Sequence, residues 1–248
     1  MLIDPHVHSH HTQGVSLTPA EAVRRAREAG LDGVVITDLN TLEGLPEVRA
    51  AAREQGFLAL CGVELATDHG HYLCYFPEPE RIPNPPQIFG TTPWPVREVL
   101  AKVAELGGVA VAAHPYDKSI ERPSGDFIFT LDGLSALEGL CARRRGPAND
   151  LAVEAADHMN LPCMGGSGAH QASEIGNAAT LFKLPVASEA DLVAQIRAGA
   201  VFCVEIGPRP QAERAPSGGW GHHRDGGRGR GDRRGVGRRD GGRGGHRR

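Results

Sequence analysis

Along residues 1 to 207, short apolar runs rich in Val, Ile and Leu alternate with longer stretches whose apolar residues recur every three to four positions. The first such stretch, SLTPAEAVRRAREAG, carries its own boundaries. Thr18 is the N-cap, Pro19 takes the first helical position, Glu21 completes a capping box and Gly30 is the stop. It leads into the strand DGVVIT. The same alternation predicts helices in LPEVRAAAREQG, PVREVLAKVAELGG, NDLAVEAADHMN and SEADLVAQIRAG, each followed by a strand: FLALCGVE, VAVAAHP, LPCMGG and AVFCVEI. Helix and strand in turn imply a parallel sheet, and about seven strands in roughly 200 residues suit a closed or nearly closed α/β barrel. Two stretches interrupt the pattern. Residues 77–95 carry seven prolines and predict a restrained loop without an element of its own. Residues 116–130 follow a strand end and predict a mobile lid.

Beyond Pro208 the periodicity stops and Gly, Arg, Asp and His take over. Residues 208–248 hold 12 of the 27 Lys and Arg and 4 of the 30 Asp and Glu, a balance of +8 against −11 for residues 1–207. A domain boundary therefore falls there, with 1–207 folded and 208–248 a Gly/Arg-rich tail expected to be disordered, since it has almost nothing to bury against the entropy of ordering its backbone. Such a tail binds nucleic acid weakly through its charge, with Trp220 available for stacking; a solvated linker is the plainer reading. The longest apolar runs, such as Val34 to Ile36 and Val109 to Ala113, fall far short of the ~20 residues of a membrane span. With MLIDPH opening directly as a strand, the expectation is a soluble, cytoplasmic protein without signal peptide or membrane contact. The five cysteines are scattered, odd in number and free of any CxxC pair, which argues against a disulfide framework or a structural zinc knot.

The candidate chemistry sits where strands end. In DPHVHSHH, Asp4, His6 and His8 fall at period two, so two imidazoles can grip one metal while the carboxylate orients a ligand from behind. LCGVE ends in Glu64, GHYLCYF opens with His71, VAVAAHP ends in His114 and CMGGSGAH ends in His170. Strands of a barrel end on one face, so these groups converge, and a carboxylate bridging several neutral imidazoles suits a cluster of divalent ions. His10, His11 and His69 lie nearby in sequence, where exposed loop histidines are commoner than ligands. Lys118, Arg143 and Arg144 follow strand ends on the same expected face and suit a phosphate clamp, with solvated charge as the alternative. No Walker loop, GxGxxG or GxSxG is present, so P-loop hydrolysis, dinucleotide redox chemistry and serine hydrolysis lack support.

The ordered set DxHxH, TD, GVE, a lone His, HP and GS-x-AH resembles the PHP family, named for polymerase and histidinol phosphatase domains, over residues 1–207. It is most similar to the family's small stand-alone phosphoesterases, which include nucleotide phosphatases and RNA exonucleases. The resemblance implies a distorted (β/α)7 barrel with a three-metal site. It implies that His6, His8 and Glu64 hold a first metal together with an Asp, whose position is Gly168 here. It implies that Glu64, His71 and His114 hold a second, and that a third uses positions occupied here by Gln13, Leu39 and His170. Asp38 is expected to stand behind the ligands or to be structural, and not to replace one. The function so implied is a metal-dependent phosphoesterase using metal-activated hydroxide. It would carry two divalent ions, within a range of one to three, drawn from Mn, Zn or Fe. His170, freed of the third ion, is expected to serve as a general acid. The expected substrate is a small phosphate monoester, a nucleotide or a short RNA. The losses at Gln13, Leu39 and Gly168 leave a second expectation open, a catalytically impaired relative that acts as a binding or regulatory module.

Overall fold

Thr18 caps helix α1 (Pro19–Glu28) as the sequence predicts, its hydroxyl accepting the Glu21 N–H at 3.1 Å. The computed structural model describes residues 1–144 and 146–206. Arg145 and the Gly/Arg-rich segment, with the disorder and nucleic-acid role expected of it, lie outside the described residues. In chain order the strands are β1 (Leu2–Val7), β2 (Gly33–Ile36), β3 (Leu58–Cys61), β4 (Val63–Thr67), β5 (Gly70–Tyr75), β6 (Val109–Ala113), β7 (Leu134–Cys141), β8 (Cys163–Gly166), β9 (Ala178–Phe182) and β10 (Val201–Glu205). The remaining helices are α2 (Leu45–Gln55), α3 (Pro85–Phe89), α4 (Val96–Glu105), α5 (Pro147–His158) and α6 (Glu189–Arg197). No helix among the described residues is long and apolar enough to cross a membrane.

The strands form two mixed five-stranded sheets, ordered β10-β9-β1-β2-β3 and β4-β5-β6-β7-β8. The α/β fold is as expected, but a closed (β/α)7 barrel is not seen among the described residues, because the strands fall into two ladders. The break falls inside FLALCGVE, expected to be one strand. β3 ends at Cys61 in one sheet and β4 begins at Val63 in the other, with the Gly62 N–H donated to the Ile36 carbonyl at 2.9 Å. A Cβ at residue 62 would lie 2.7 Å from the Tyr75 ring, so glycine is what lets the chain cross there. β4 and β5 form a hairpin turned at Asp68 and His69, and β9 is antiparallel to both β1 and β10. The β4–β5 hairpin has no intervening helix, so helix–strand alternation could not announce it. Isolated bridges, Val7 with Ala169 and Leu39 with Glu64, bring the two sheets together beside the candidate ligands.

Between the sheets lies a core drawn from both, including Ile3, Val35, Leu60, Leu73, Tyr75, Val111 and Met164, with Leu192 and Ile196 of α6 packed against it. The Tyr75 hydroxyl donates to the Pro5 carbonyl at 2.9 Å across this core. Helices α1 and α2 cover the outer face of one sheet, and α4 and α5 cover that of the other. The proline-rich stretch is more structured than expected. It contains a 3₁₀ turn at Pro79–Arg81 and helix α3, whose prolines sit in the first turn where a missing N–H costs no hydrogen bond. Residues 116–130 are likewise tied down: Ile128 is buried, and the Gly125 N–H bonds the Pro115 carbonyl at 2.8 Å.

Candidate metal centre

Glu64, on β4, is the hub. Its Oε2 lies 3.0 Å from His8 Nε2 and 3.5 Å from His6 Nε2, and its Oε1 lies 2.9 Å from His71 Nδ1 and 3.2 Å from His114 Nε2. The carboxylate is buried, as are His6, His8 and His114; His71 is part-exposed. The donors fall into two groups that share it, His6–His8–Glu64 and Glu64–His71–His114.

The tautomers reveal what this centre is built to hold. His6 Nδ1 lies 2.7 Å from Glu138 Oε1, an acceptor only, so that nitrogen carries the proton and Nε2 presents a lone pair. The Thr12 hydroxyl donates to Asp38 Oδ1 at 2.8 Å, which leaves its oxygen to accept from His8 Nδ1 at 3.1 Å. His8 Nε2 is then a lone pair as well. Two such nitrogens stand 3.2 Å apart and face the same carboxylate oxygen. Acceptors crowded against acceptors repel unless a proton or a cation lies between them, and imidazoles pinned from behind in this way are how proteins present metal-ligating histidines. The donor set therefore fits divalent metal.

The ionisation of these groups carries the same signature. Burial alone would depress His6, yet the carboxylates of Glu138 and Glu64 raise it well above the ordinary histidine value. Burial opposes ionisation of Glu64, but His71 and His6 hold it well below the usual carboxylate range, and Glu64 in turn raises His71 against its own burial. His170 goes the other way. Burial, then His8 and Arg143, push it down to about 3, so its ring is neutral.

His114 sits just past the end of β6 at φ +28°, a conformation costly for a residue with a Cβ. Two bonds hold it: its N–H donates to Glu138 Oε2 at 2.9 Å, and its carbonyl accepts the Asp117 N–H at 2.9 Å. Glu138 thus positions two ligands at once. It was not anticipated, because a single acid within GLSALEGL reads as part of an apolar strand; its burial is the only signal. Asp4, expected behind a ligand, instead accepts the backbone N–H groups of Ser167 at 2.9 Å and Gly176 at 3.0 Å, and so ties down the loop after β8. Thr12, equally unforeseen, connects His8 to Asp38, which is structural as expected and also holds both the Ser9 N–H and the Ser9 hydroxyl.

A cavity of about 110 Å³ opens on this centre. His6, His8, Glu64, His71, His114 and His170 all line it, together with Arg143, Arg144, Leu39, Ile120, Cys141 and Gly168. Lys118 is exposed and lies outside the lining. Arg144 Nε is 2.5 Å from Asp117 Oδ2, whereas Arg143 is only loosely paired, 4.0 Å from Glu174. Gly168 adopts φ +61°, and a Cβ there would meet Cys141 Sγ at 3.0 Å.

Fold and site together define an α/β protein with a histidine–carboxylate metal-type centre at the junction of its sheets. The PHP domain family profile matches residues 4–126 and the PHP-associated profile residues 146–201. The chain belongs to the PHP family. An uncharacterized protein of Methanocaldococcus jannaschii is 35% identical over 136 residues, covering 54% of this chain and 73% of that protein. The 5'-3' exoribonuclease of Haemophilus influenzae is 38% identical over 65 residues, covering 26% of this chain and 23% of that protein. Among solved structures, the fold matches a two-domain Bacteroides vulgatus protein containing a predicted PHP-like metal-dependent phosphoesterase, with TM-score 0.61 and 16% identity, over 83% of this chain and 64% of that one. Membership of the PHP family supports a metal-dependent hydrolase.

Linkage gives the metal-free protein a defined pH response. Glu64 is shifted down, so its contribution to stability is complete above the unfolded value of about 4.3 and fades as pH falls through the lower folded value. His6 and His71 are shifted up, so theirs is complete below about 6.5 and fades as pH rises through the higher folded values. Metal-free stability is expected to peak between these limits. A divalent ion needs unprotonated imidazoles, so it should raise the melting temperature more near pH 8 than near pH 5.5. Thermal unfolding with metal and with chelator measures this, and a metal-induced shift independent of pH would contradict it.

Proposed function

We propose that this protein is a metal-dependent phosphoesterase that hydrolyses a terminal phosphate of a small ester, a nucleotide or a short RNA. The observation that carries the reading is Glu64, buried and met by four imidazole nitrogens at 2.9–3.5 Å. His6, His8 and Glu64 would hold one divalent ion, and Glu64, His71 and His114 a second. Such ions supply Lewis acidity toward a phosphoryl oxygen and acidify water.

The chain's own residues do the rest. Glu138 and Thr12 keep the lone pairs of His6 and His8 turned inward, and Glu64 balances the charge gathered there. Arg143, only loosely paired with Glu174 among the described residues, offers its guanidinium to a phosphate, and Arg144 stands beside it, aligned by Asp117. Leu39 and Ile120 exclude water along the apolar side of the cavity. His170 enters turnover neutral, and so accepts a proton at a ring nitrogen before it can return one to a leaving group. The cavity is well below the ~300–1,000 Å³ that encloses a whole ligand of moderate size. A phosphoryl group inside with the remainder outside fits it, which favours recognition of the end of a substrate.

Metal analysis with a panel of phosphate esters tests the proposal. At least one equivalent of Mn, Zn or Fe and hydrolysis of some terminal phosphate are expected, with His114→Ala losing both. Less than one equivalent, with His114→Ala unchanged, would end it. Leu39 and Gly168 favour a second reading, an impaired relative kept for binding. Leu39→His with Gly168→Asp separates the two. Aspartate is among the residues that tolerate φ near +60°, and a small shift of Cys141 admits it. A centre complete in its own way gains little from the pair; a gain of orders of magnitude would favour the impaired reading.

A further inference from the structure

Outside the Glu64 centre, the turn after β1 carries His10 and His11, and both rings converge on one carboxylate. His10 Nε2 lies 3.1 Å from Glu47 Oε2, and His11 Nε2 lies 3.1 Å from Glu47 Oε1. The two imidazole centroids are 4.5 Å apart. Neighbouring residues in extended chain point to opposite sides, so this convergence depends on the turn closed by the Thr12 N–H on the Ser9 carbonyl at 2.8 Å. It also depends on Gly44, where a Cβ would meet His11 Cδ2 at 2.9 Å and Asp38 Oδ2 at 3.1 Å. The helix supplies the third donor: Glu47 stands in the first turn of α2, where an anion is favoured.

All three groups are solvent-accessible, with side-chain exposures of 36%, 19% and 49% for His10, His11 and Glu47. Exposed ion pairs contribute only about 0–1 kcal/mol, little against the rotamer entropy lost in holding three side chains together. Coordination of a cation accounts for the convergence better. We propose that His10, His11 and Glu47 form a separate divalent-cation site of two imidazole nitrogens and a carboxylate. That donor set selects Zn(II), Ni(II) or Co(II) over Mg(II) and Ca(II). An ion there would clasp the β1–α1 turn to α2. Thr12, the residue behind His8, follows His11 directly, so the clasp would also steady the backing of the Glu64 centre.

The test is a Zn(II) titration of the full chain against a chromophoric chelator, comparing the parent with Glu47→Gln, His11→Ala and Glu64→Gln. His222, His223 and His246 of the tail are common to all four proteins, so their contribution cancels. Glu47→Gln and His11→Ala are each expected to bind one equivalent fewer than the parent, while Glu64→Gln keeps that equivalent. In crystals grown with Zn(II), an anomalous-scattering peak should touch His10, His11 and Glu47. Unchanged stoichiometry and affinity in both Glu47→Gln and His11→Ala would overturn the inference. The phosphoesterase reading stands or falls separately, on what Glu64→Gln loses.

Discussion

Glu64→Gln is expected to strip the protein of the ions needed for phosphate-ester hydrolysis and to abolish that activity. The loss should far exceed the ~10–100-fold caused by removing a hydrogen-bond partner behind a metal ligand. The substitution is nearly isosteric, so the packing of β4 should survive it, and circular dichroism of the variant should match the parent. What changes is the chemistry. Glu64 is the one carboxylate in both donor groups, and each of its oxygens serves a different pair of imidazoles. An amide presents one neutral oxygen and an NH₂ whose hydrogens would point at a lone pair. Both subsites therefore fail together. His71 also loses the carboxylate that raises it, and His6 keeps only Glu138, so the variant should show a smaller alkaline decline in metal-free stability. Metal analysis and hydrolysis measured on the same sample check the first claim, and retention of parental metal content would refute it.

The second large effect is expected at Glu138, which touches no cation in this account. Glu138→Ala removes the acceptor of His6 Nδ1–H and of the His114 backbone N–H, both buried. An unsatisfied buried donor costs about 1–3 kcal/mol, so for the two a loss of roughly 2–6 kcal/mol in the free energy of unfolding is expected. The His6 ring is then free to change tautomer, and the backbone of His114 is free to leave φ +28°. Metal affinity should fall ~10–100-fold. Urea unfolding and metal titration read the two effects separately. Glu138→Gln, which keeps one acceptor oxygen, should lie between alanine and the parent in both; if it equals alanine in stability and the parent in metal affinity, the positioning role is wrong.

Much of the centre was legible because its candidate ligands stand at the ends of apolar runs. His6, His8, Glu64, His71, His114 and His170 all line the cavity, as strand-end convergence implied. The groups behind them were hidden for one reason: a backing residue acts by direction, and direction is not written in spacing. Glu138 reads as an isolated acid in a strand and Thr12 as a turn residue. Asp4 has the spacing of a partner to His6 but spends both oxygens on backbone N–H groups. Lys118, four positions past His114, is exposed and lies outside the cavity lining, because the turn has by then carried its side chain to solvent.

The fold was partly legible in the same way. Periodicity located α1, α2, α4, α5 and α6, because their caps and apolar faces are local, and missed the short α3. It could not show that a strand changes sheets at Gly62, where a ring thirteen residues away would stand 2.7 Å from any added Cβ. Nor could it show β9, a short run whose partners are β1 and β10, far off in sequence. Closure of a sheet is a non-local property, and alternation of helix and strand carries no record of it.

The central claim is that one buried carboxylate joins two cation subsites. Anomalous diffraction from crystals of the protein loaded with Mn(II) tests it most directly. Two peaks sharing Glu64 are expected, one in contact with His6 and His8 and the other with His71 and His114. Density with no peak touching Glu64 would contradict it.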